Sequence, residues 1–188
     1  MKKVNILAHI DNSQSECIIG RIGGNIPQYF TDKLSEIEGL KFYINFQHPD
    51  DSQLFISIFV PQEYGVLLEN NIYPACAVKV FVHPYTGEST NKNYTIERIN
   101  QSYIIGFNER ETDDFGFITK SEHPKLIQDE EYYYTNLKHD DYQFFVQIDE
   151  DFYPPDVIDG DYIFGYGALY LYKNKTDESI VAGFWQYS

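Results

Sequence analysis

Between Gln143 and Tyr172 the chain reads QFFVQIDEDFYPPDVIDGDYIFGYGALYLY, two alternating runs separated by an acidic, proline-broken interval. In Gln143–Asp149 the apolar Phe144, Val146 and Ile148 alternate with Gln143, Phe145, Gln147 and Asp149, which is the period of a half-buried strand. From Gly167 to Tyr172, Leu169 and Leu171 fall on one face, and Ala168, Tyr170 and Tyr172 on the other. A helix cannot satisfy a period of two, so the stretch predicts strand, loop, strand. The loop 149–161 holds Asp149, Glu150, Asp151, Asp156, Asp159 and Asp161, broken by Pro154-Pro155 and Gly160.

The rest of the chain repeats this grammar. Lys3–Ile10 and Ser15–Gly20 are short apolar runs, the first closed by the turn-forming Asp11-Asn12-Ser13. Leu40–Gln47 and Gln53–Val60 alternate on either side of His48-Pro49-Asp50-Asp51-Ser52, which predicts a hairpin. Ala77–Val82 is a further strand, and the charged Asn108–Asp114 reads as an exposed loop. Thr31–Ile37 predicts a short helix capped by Thr31, with Leu34 and Ile37 facing inward. Glu130–Leu137 fits either an amphipathic strand or one turn of helix.

Two segments align. Lys41–Gln47 set over Gln143–Asp149 matches polar, aromatic, aromatic, β-branched, amide, apolar and polar positions. Ser52–Ile56 then matches Gly167–Leu171, and Gly24-Asn25-Ile26 matches Gly116-Phe117-Ile118 more weakly. Half-sized units of this kind cannot bury their apolar faces alone, so two packed together are expected. The expected fold is therefore α+β, predominantly antiparallel β, in one domain over 1–188 with related halves at roughly 15–90 and 110–188. The 17 tyrosines and 14 phenylalanines agree, since an aromatic ring covers a sheet face while a tyrosine hydroxyl still reaches water.

A net charge of −15 excludes nucleic acid and anionic membrane as partners, because phosphates would be repelled. It suits a basic protein partner or a cation. The acidic loop presents carboxylates to a hard cation such as Ca²⁺, which wants six to eight oxygens. Its spacing departs from the EF-hand loop, however, and its paired prolines favour an extended course. A carboxylate pair such as Asp149 and Asp161 would suit glycoside hydrolysis only across a cleft of suitable width. GRIGGNIP places Gly23 and Gly24 where backbone amides could meet an anion, but the P-loop lysine and Ser/Thr are missing.

The five histidines have no metal-ligand spacing, and no GxSxG elbow occurs. Cys17 and Cys76, far apart in apolar surroundings, read as two buried free thiols. With no signal-peptide pattern and no span-length apolar run, the expected compartment is the cytoplasm.

GRIGGNIP, LKFYINFQ, FFVQID and FGYGALYLY, in this order, resemble the YwqG-like family of uncharacterised bacterial proteins. The likeness covers most of residues 20–188, and its most specific part is the QID strand followed by GxLY. It implies a mostly antiparallel β fold with an internal duplication. Its Trp-Gly-Asp is here Phe164-Gly165-Tyr166, and Asn45 stands where the first copy usually has Gln. Some relatives sit beside toxin–immunity genes, which implies an immunity role.

These readings give an acidic, non-enzymatic binding protein, in the immunity case directed against a basic toxin. Gln147, Asp149, Asp151, Asp159, Asp161 and Tyr166 would form its binding surface, with Gly23 and Gly24. The alternative is a metal- or small-ligand-binding protein, an enzyme among the options, that uses the acidic loop.

Overall fold

The computed structural model describes residues 4–13, 17–111 and 113–188. Lys3, Ser15 and Thr112, which belong to the expected first strand, second apolar run and charged loop, lie outside the described residues. Ten strands account for most of the order: β1 (Val4–Ile10), β2 (Ile18–Ile22), β3 (Leu40–His48), β4 (Asp51–Pro61), β5 (Lys79–Pro84), β6 (Ser102–Glu111), β7 (Ile118–Lys120), β8 (Tyr142–Asp149), β9 (Ala168–Asn174) and β10 (Ile180–Gln186). They form one sheet in the order β10-β9-β8-β7-β1-β6-β2-β3-β4-β5. Every neighbouring pair is antiparallel.

Two meanders, β2–β5 and β7–β10, are joined in the middle by β1 and β6. The sheet curls until its outer strands, β5 and β10, approach one another, and Ile72 bridges to Phe184 beside that seam. Closure of this kind follows from strand twist and covers the unpaired groups of both edges. The helical share of the α+β expectation reduces to two short helices, α1 (Tyr64–Glu69) and α2 (Thr135–His139), so the fold is mostly β.

The inside of the curl is the main core. Ile44, Phe46, Val146, Ile148, Leu169 and Leu171 meet there with Phe164 and Trp185. Leu169 and Leu171 thus share the face that their alternation assigns them, while Tyr170 and Tyr172 point outward. Strand β8 corrects the simple alternation. Phe144 packs on the outer face, whereas Phe145, Val146 and Ile148 face in. The cause is a register shift between Phe144 and Val146, since an extra residue reverses every side chain before it. Strand β3 shifts between Phe42 and Ile44, with Phe42 outward and Tyr43, Ile44 and Phe46 inward.

Each outer face carries its own apolar cover. Tyr133 and Leu137, the latter from α2, pack on Tyr170, Tyr172 and Phe184. Ile26, Phe30 and Ile37 pack on Phe42 and Phe59. Of the expected Thr31–Ile37 helix only a 3₁₀ turn, Leu34–Ile37, forms, and another, Gln28–Phe30, precedes it. The Thr31 hydroxyl donates back to the Gln28 carbonyl rather than capping a helix. Leu34 is exposed, not inward. Glu130–Leu137 resolves as helix: a 3₁₀ turn leads into α2.

Asn108–Glu111, expected as loop, extends β6 and pairs with β1. Cys76 is buried, and burial pushes its thiol up to about 11; Cys17 is exposed, contrary to expectation. No helix among the described residues is long and apolar enough to cross a membrane.

Candidate functional site

The acidic loop is anchored by a residue that its charge disguises. Glu150, straight after β8, is fully buried. Its Oε2 accepts from the backbone N–H of Phe164 at 3.0 Å and of Gly167 at 3.3 Å. Its Oε1 accepts from the Tyr153 hydroxyl at 3.4 Å, and that oxygen lies 2.5 Å from the hydroxyl of Tyr43 on β3. Desolvation raises the Glu150 carboxyl to about 7, against the pull of the backbone N–H donors. Val157 and Ile158 of the loop, with Ile163 and Phe164 just after it, enter the main core. The loop is thus a packed cover on the core, not a free coil.

The expected site residues separate into three places. Gln147 and Asp149 are buried on the outer face of β8 and touch, with Gln147 Nε2 donating to Asp149 Oδ2 at 3.3 Å. Burial raises the Asp149 carboxyl, although its Oδ1 accepts from the Asp151 N–H at 3.0 Å. Asp151, Asp159 and Asp161 are exposed. Tyr166 is 56% exposed, with its ring stacked 4.1 Å from that of Tyr162 and its backbone at φ 61°. A left-handed φ is costly for a tyrosine, so the turn holds this ring outward at some expense of strain. No three His, Cys, Asp or Glu side chains among the described residues converge on a point that could hold a metal ion.

Gly23 and Gly24 lie elsewhere, against the connector 98–101. That connector reaches the acidic loop on its other side, where the Asn100 N–H donates to Val157 O at 2.8 Å. The glycines are packed by this chain's own groups. A Cβ on Gly24 would come within 2.7 Å of Glu88 Oε1 and 2.9 Å of an Arg21 guanidinium nitrogen.

Sequence reading missed the residues beside those glycines. Arg21 on β2 is 8% exposed and donates to the carbonyls of Gly23 and Asn25. Its guanidinium lies 4.6 Å from the Phe42 ring centre. Burial lowers its pKa, while the Glu88 carboxylate opposes that shift. Glu88 itself accepts from the Asn25 N–H at 2.6 Å and from Gln101 Nε2 at 2.9 Å.

Next to Arg21, and its ladder partner, is Asn45 on β3. Asn45 is 5% exposed, and its Oδ1 is enclosed with no hydrogen-bond donor among the described residues. Both side chains line a cavity of about 380 Å³ whose walls include Phe55, Tyr85 and Tyr103. The floor is backbone: a Cβ on Gly20 would meet the Asn45 carbonyl at 2.2 Å, so only glycine lets β2 lie this close to β3. The available sequence signal was the alignment of Asn45 with Gln147.

One further pair has the contacts of a nucleophile and its base. Ser57 Oγ lies 2.7 Å from His83 Nε2, and His83 Nδ1 lies 2.7 Å from Pro84 O. Both residues are sealed from solvent, with Tyr29 stacked on the His83 imidazole, so no substrate reaches them. Burial also lowers the His83 pKa.

The fold and these sites define a curled, antiparallel β protein with a packed acidic cover and a polar outer cavity. Comparison of the chain with protein-family models, curated proteins and solved structures returns no match.

Proposed function

We propose that the protein is a non-catalytic binding protein whose acidic loop docks a basic protein partner, with immunity against a basic toxin as its setting. The observation that carries this reading is the division of labour within the loop. Val157, Ile158, Ile163 and Phe164 fix it to the core, while Asp151, Asp156, Asp159 and Asp161 stand exposed beside the exposed rings of Phe152 and Tyr166. A pre-ordered acidic surface steers a cationic partner, and neighbouring aromatic rings anchor it. The chain's net charge of −15 acts in the same direction over longer range.

Two related ideas belong to the same reading. The two meanders are copies of one unit: β3 and β8 carry register shifts at aligned positions, Phe42/Ile44 and Phe144/Val146. The resemblance to the YwqG-like family, in which such a duplication is expected, is consistent with this. Cytoplasmic residence fits a target met inside the cell.

The test is a pull-down from source lysate at low salt, followed by association kinetics with the captured partner. The quadruple variant D151N/D156N/D159N/D161N should slow association about tenfold or more while leaving the melting temperature nearly unchanged. Asp149 is left out of this set because it is buried. A partner whose association ignores both salt and these substitutions would refute the electrostatic docking.

The second reading, a small-ligand-binding protein, is favoured by a different observation, the cavity of about 380 Å³ lined by Arg21, Asn45, Phe55, Tyr85 and Tyr103.

A further inference from the structure

A larger cavity, of about 690 Å³, lies at the open end of the β3–β4 hairpin, between α1 and the connector 92–98. That volume is in the range that holds small organic ligands, roughly 300–1,000 Å³. Lys41 and Val60, ladder partners on β3 and β4, meet there with Leu67 of α1 and Ile163. Val60, Leu67 and Ile163 belong to the main core and close the floor. Pro61, Ile96 and the half-exposed Tyr64 leave apolar surface within reach of solvent. The connector is a fixed wall rather than a loose loop. Tyr94 O accepts from the Phe42 N–H at 2.7 Å, Lys92 O from the Thr95 N–H at 3.1 Å, and Arg98 O from the Asp159 N–H at 2.8 Å.

The charge around this cavity runs against the rest of the chain. With 29 acidic residues to 14 Lys and Arg, a surface cation should find a carboxylate, as Lys120 finds Asp50 and Lys173 finds Glu178. Here Lys41, Lys92 and Arg98 line one cavity, and Glu97 is the single acid among its lining residues. Among the described residues, none of the three cations forms an ion pair with a carboxylate. Lys41 Nζ donates to Asn93 O at 2.7 Å, which holds the ammonium at the rim with two N–H groups to spare. Lys92 and Arg98 are exposed, so an anion can reach them. A guanidinium grips a carboxylate through two parallel N–H groups. Glu97 and the net charge of −15 oppose a second negative charge, which favours a monoanion over a phosphate ester.

We infer that this cavity is a binding site for a small monocarboxylate that carries an apolar ring. The carboxylate lies between Arg98 and the Lys41 and Lys92 ammonium groups. The ring rests on Ile96 and Pro61 and meets the Tyr64 side chain, where one aromatic ring packs well on another. The site uses none of the exposed carboxylates of the acidic loop, so it stands or falls independently of the docking of a basic partner.

The experiment is an NMR titration of the ¹⁵N-labelled protein with indole-3-acetate, following the backbone amides of 92–98 and the Arg98 Nε–H. Indole-3-acetate should shift these signals saturably, with a dissociation constant of about 1 mM or tighter. Indole-3-acetamide, of the same shape without the charge, should bind at least about tenfold more weakly. Inorganic phosphate, a charge without the ring, should also bind at least about tenfold more weakly. The double variant Lys92→Gln/Arg98→Gln alters two exposed side chains, so it should keep a native spectrum and bind indole-3-acetate at least about tenfold more weakly. Absence of a saturable shift in 92–98 would overturn the inference. Equal binding of the acid and its amide, or of phosphate and the acid, would overturn it too, as would unchanged affinity in the double variant.

Discussion

Asn45 and Gln147 occupy matching places in the two meanders, each an amide on the outer face of the second strand of its ladder, yet their amides meet opposite fates. Gln147 Oε1 accepts from the backbone N–H of Lys125 at 2.9 Å, and its Nε2 reaches Asp149. Around it the segment 125–128 is tied down as a strap: Tyr170 donates to Lys125 O, and Gln186 Oε1 accepts from the N–H groups of Ile127 and Gln128. On β3 the covering loops pass to one side, where Glu88 engages Asn25 and Gln101, and Asn45 Oδ1 is enclosed without a donor among the described residues. One amide holds the fold together. The other carries an acceptor with no donor, and the physical difference is whether a backbone strap crosses the strand.

The contrast extends to the strand ends. β3 ends at buried His48 and β8 is followed by buried Glu150, so each meander carries a titratable group into the interior. Burial lowers the histidine and raises the glutamate. Glu150 should produce the largest measurable effect. Below pH 4.5 its carboxyl is protonated in folded and unfolded chains alike. Between 4.5 and about 7 the unfolded chain releases a proton that the folded chain keeps, so stability falls as pH rises through this window. The full excursion is about 3 kcal/mol. Glu150→Gln keeps an acceptor for Phe164 and Gly167 and cannot ionise. Relative to wild type, the variant should therefore gain up to about 3 kcal/mol in urea unfolding between pH 4 and pH 8. A pH-independent difference would remove Glu150 from the contrast.

The strap makes the next prediction. Gln186 is fully buried, and its amide also donates to Gln128 O at 2.7 Å. Gln186→Leu should cost about 2 kcal/mol, because it strands the Gln128 N–H and carbonyl beneath the strap and leaves the Ile127 N–H only the Tyr170 hydroxyl at 3.3 Å. Hydrogen exchange at Ile127 and Gln128 should accelerate together in that variant, as the strap would open as a unit. Exchange rates unchanged from wild type would show that the strap is held by Tyr170 and its apolar contacts alone.

Much of the strand plan was legible in the sequence. The hairpin around Pro49 and the opposed faces of Leu169 and Tyr170 both rest on a period of two, which reports directly on burial. Three things were hidden. The register shift in β8 turns Phe144 outward, and a bulge leaves no mark in an aromatic run such as Phe144-Phe145. Glu150 looks like one more solvated acid among its neighbours, and only the fold supplies the Phe164 and Gly167 N–H groups that bury it. Arg21 and Asn45 carry no spacing signal, because their setting is assembled across β2, β3 and the distant Glu88 and Gln101. Of the residues expected to form the binding surface, Asp151, Asp159 and Asp161 are exposed, whereas Gln147 and Asp149 are buried. The cavity could come only from the structure.

The most direct measurement is the unfolding free energy of Asn45→Leu and Gln147→Leu, compared side by side in urea without added ligand. Gln147→Leu should lose about 2 kcal/mol, since the Lys125 N–H loses its acceptor and Asp149 its donor. Asn45→Leu should lie within about 0.5 kcal/mol of wild type or be more stable, because it removes an acceptor that has no donor. Equal losses in the two variants would contradict the claim that the Gln147 amide serves the fold while the Asn45 oxygen goes unpaired.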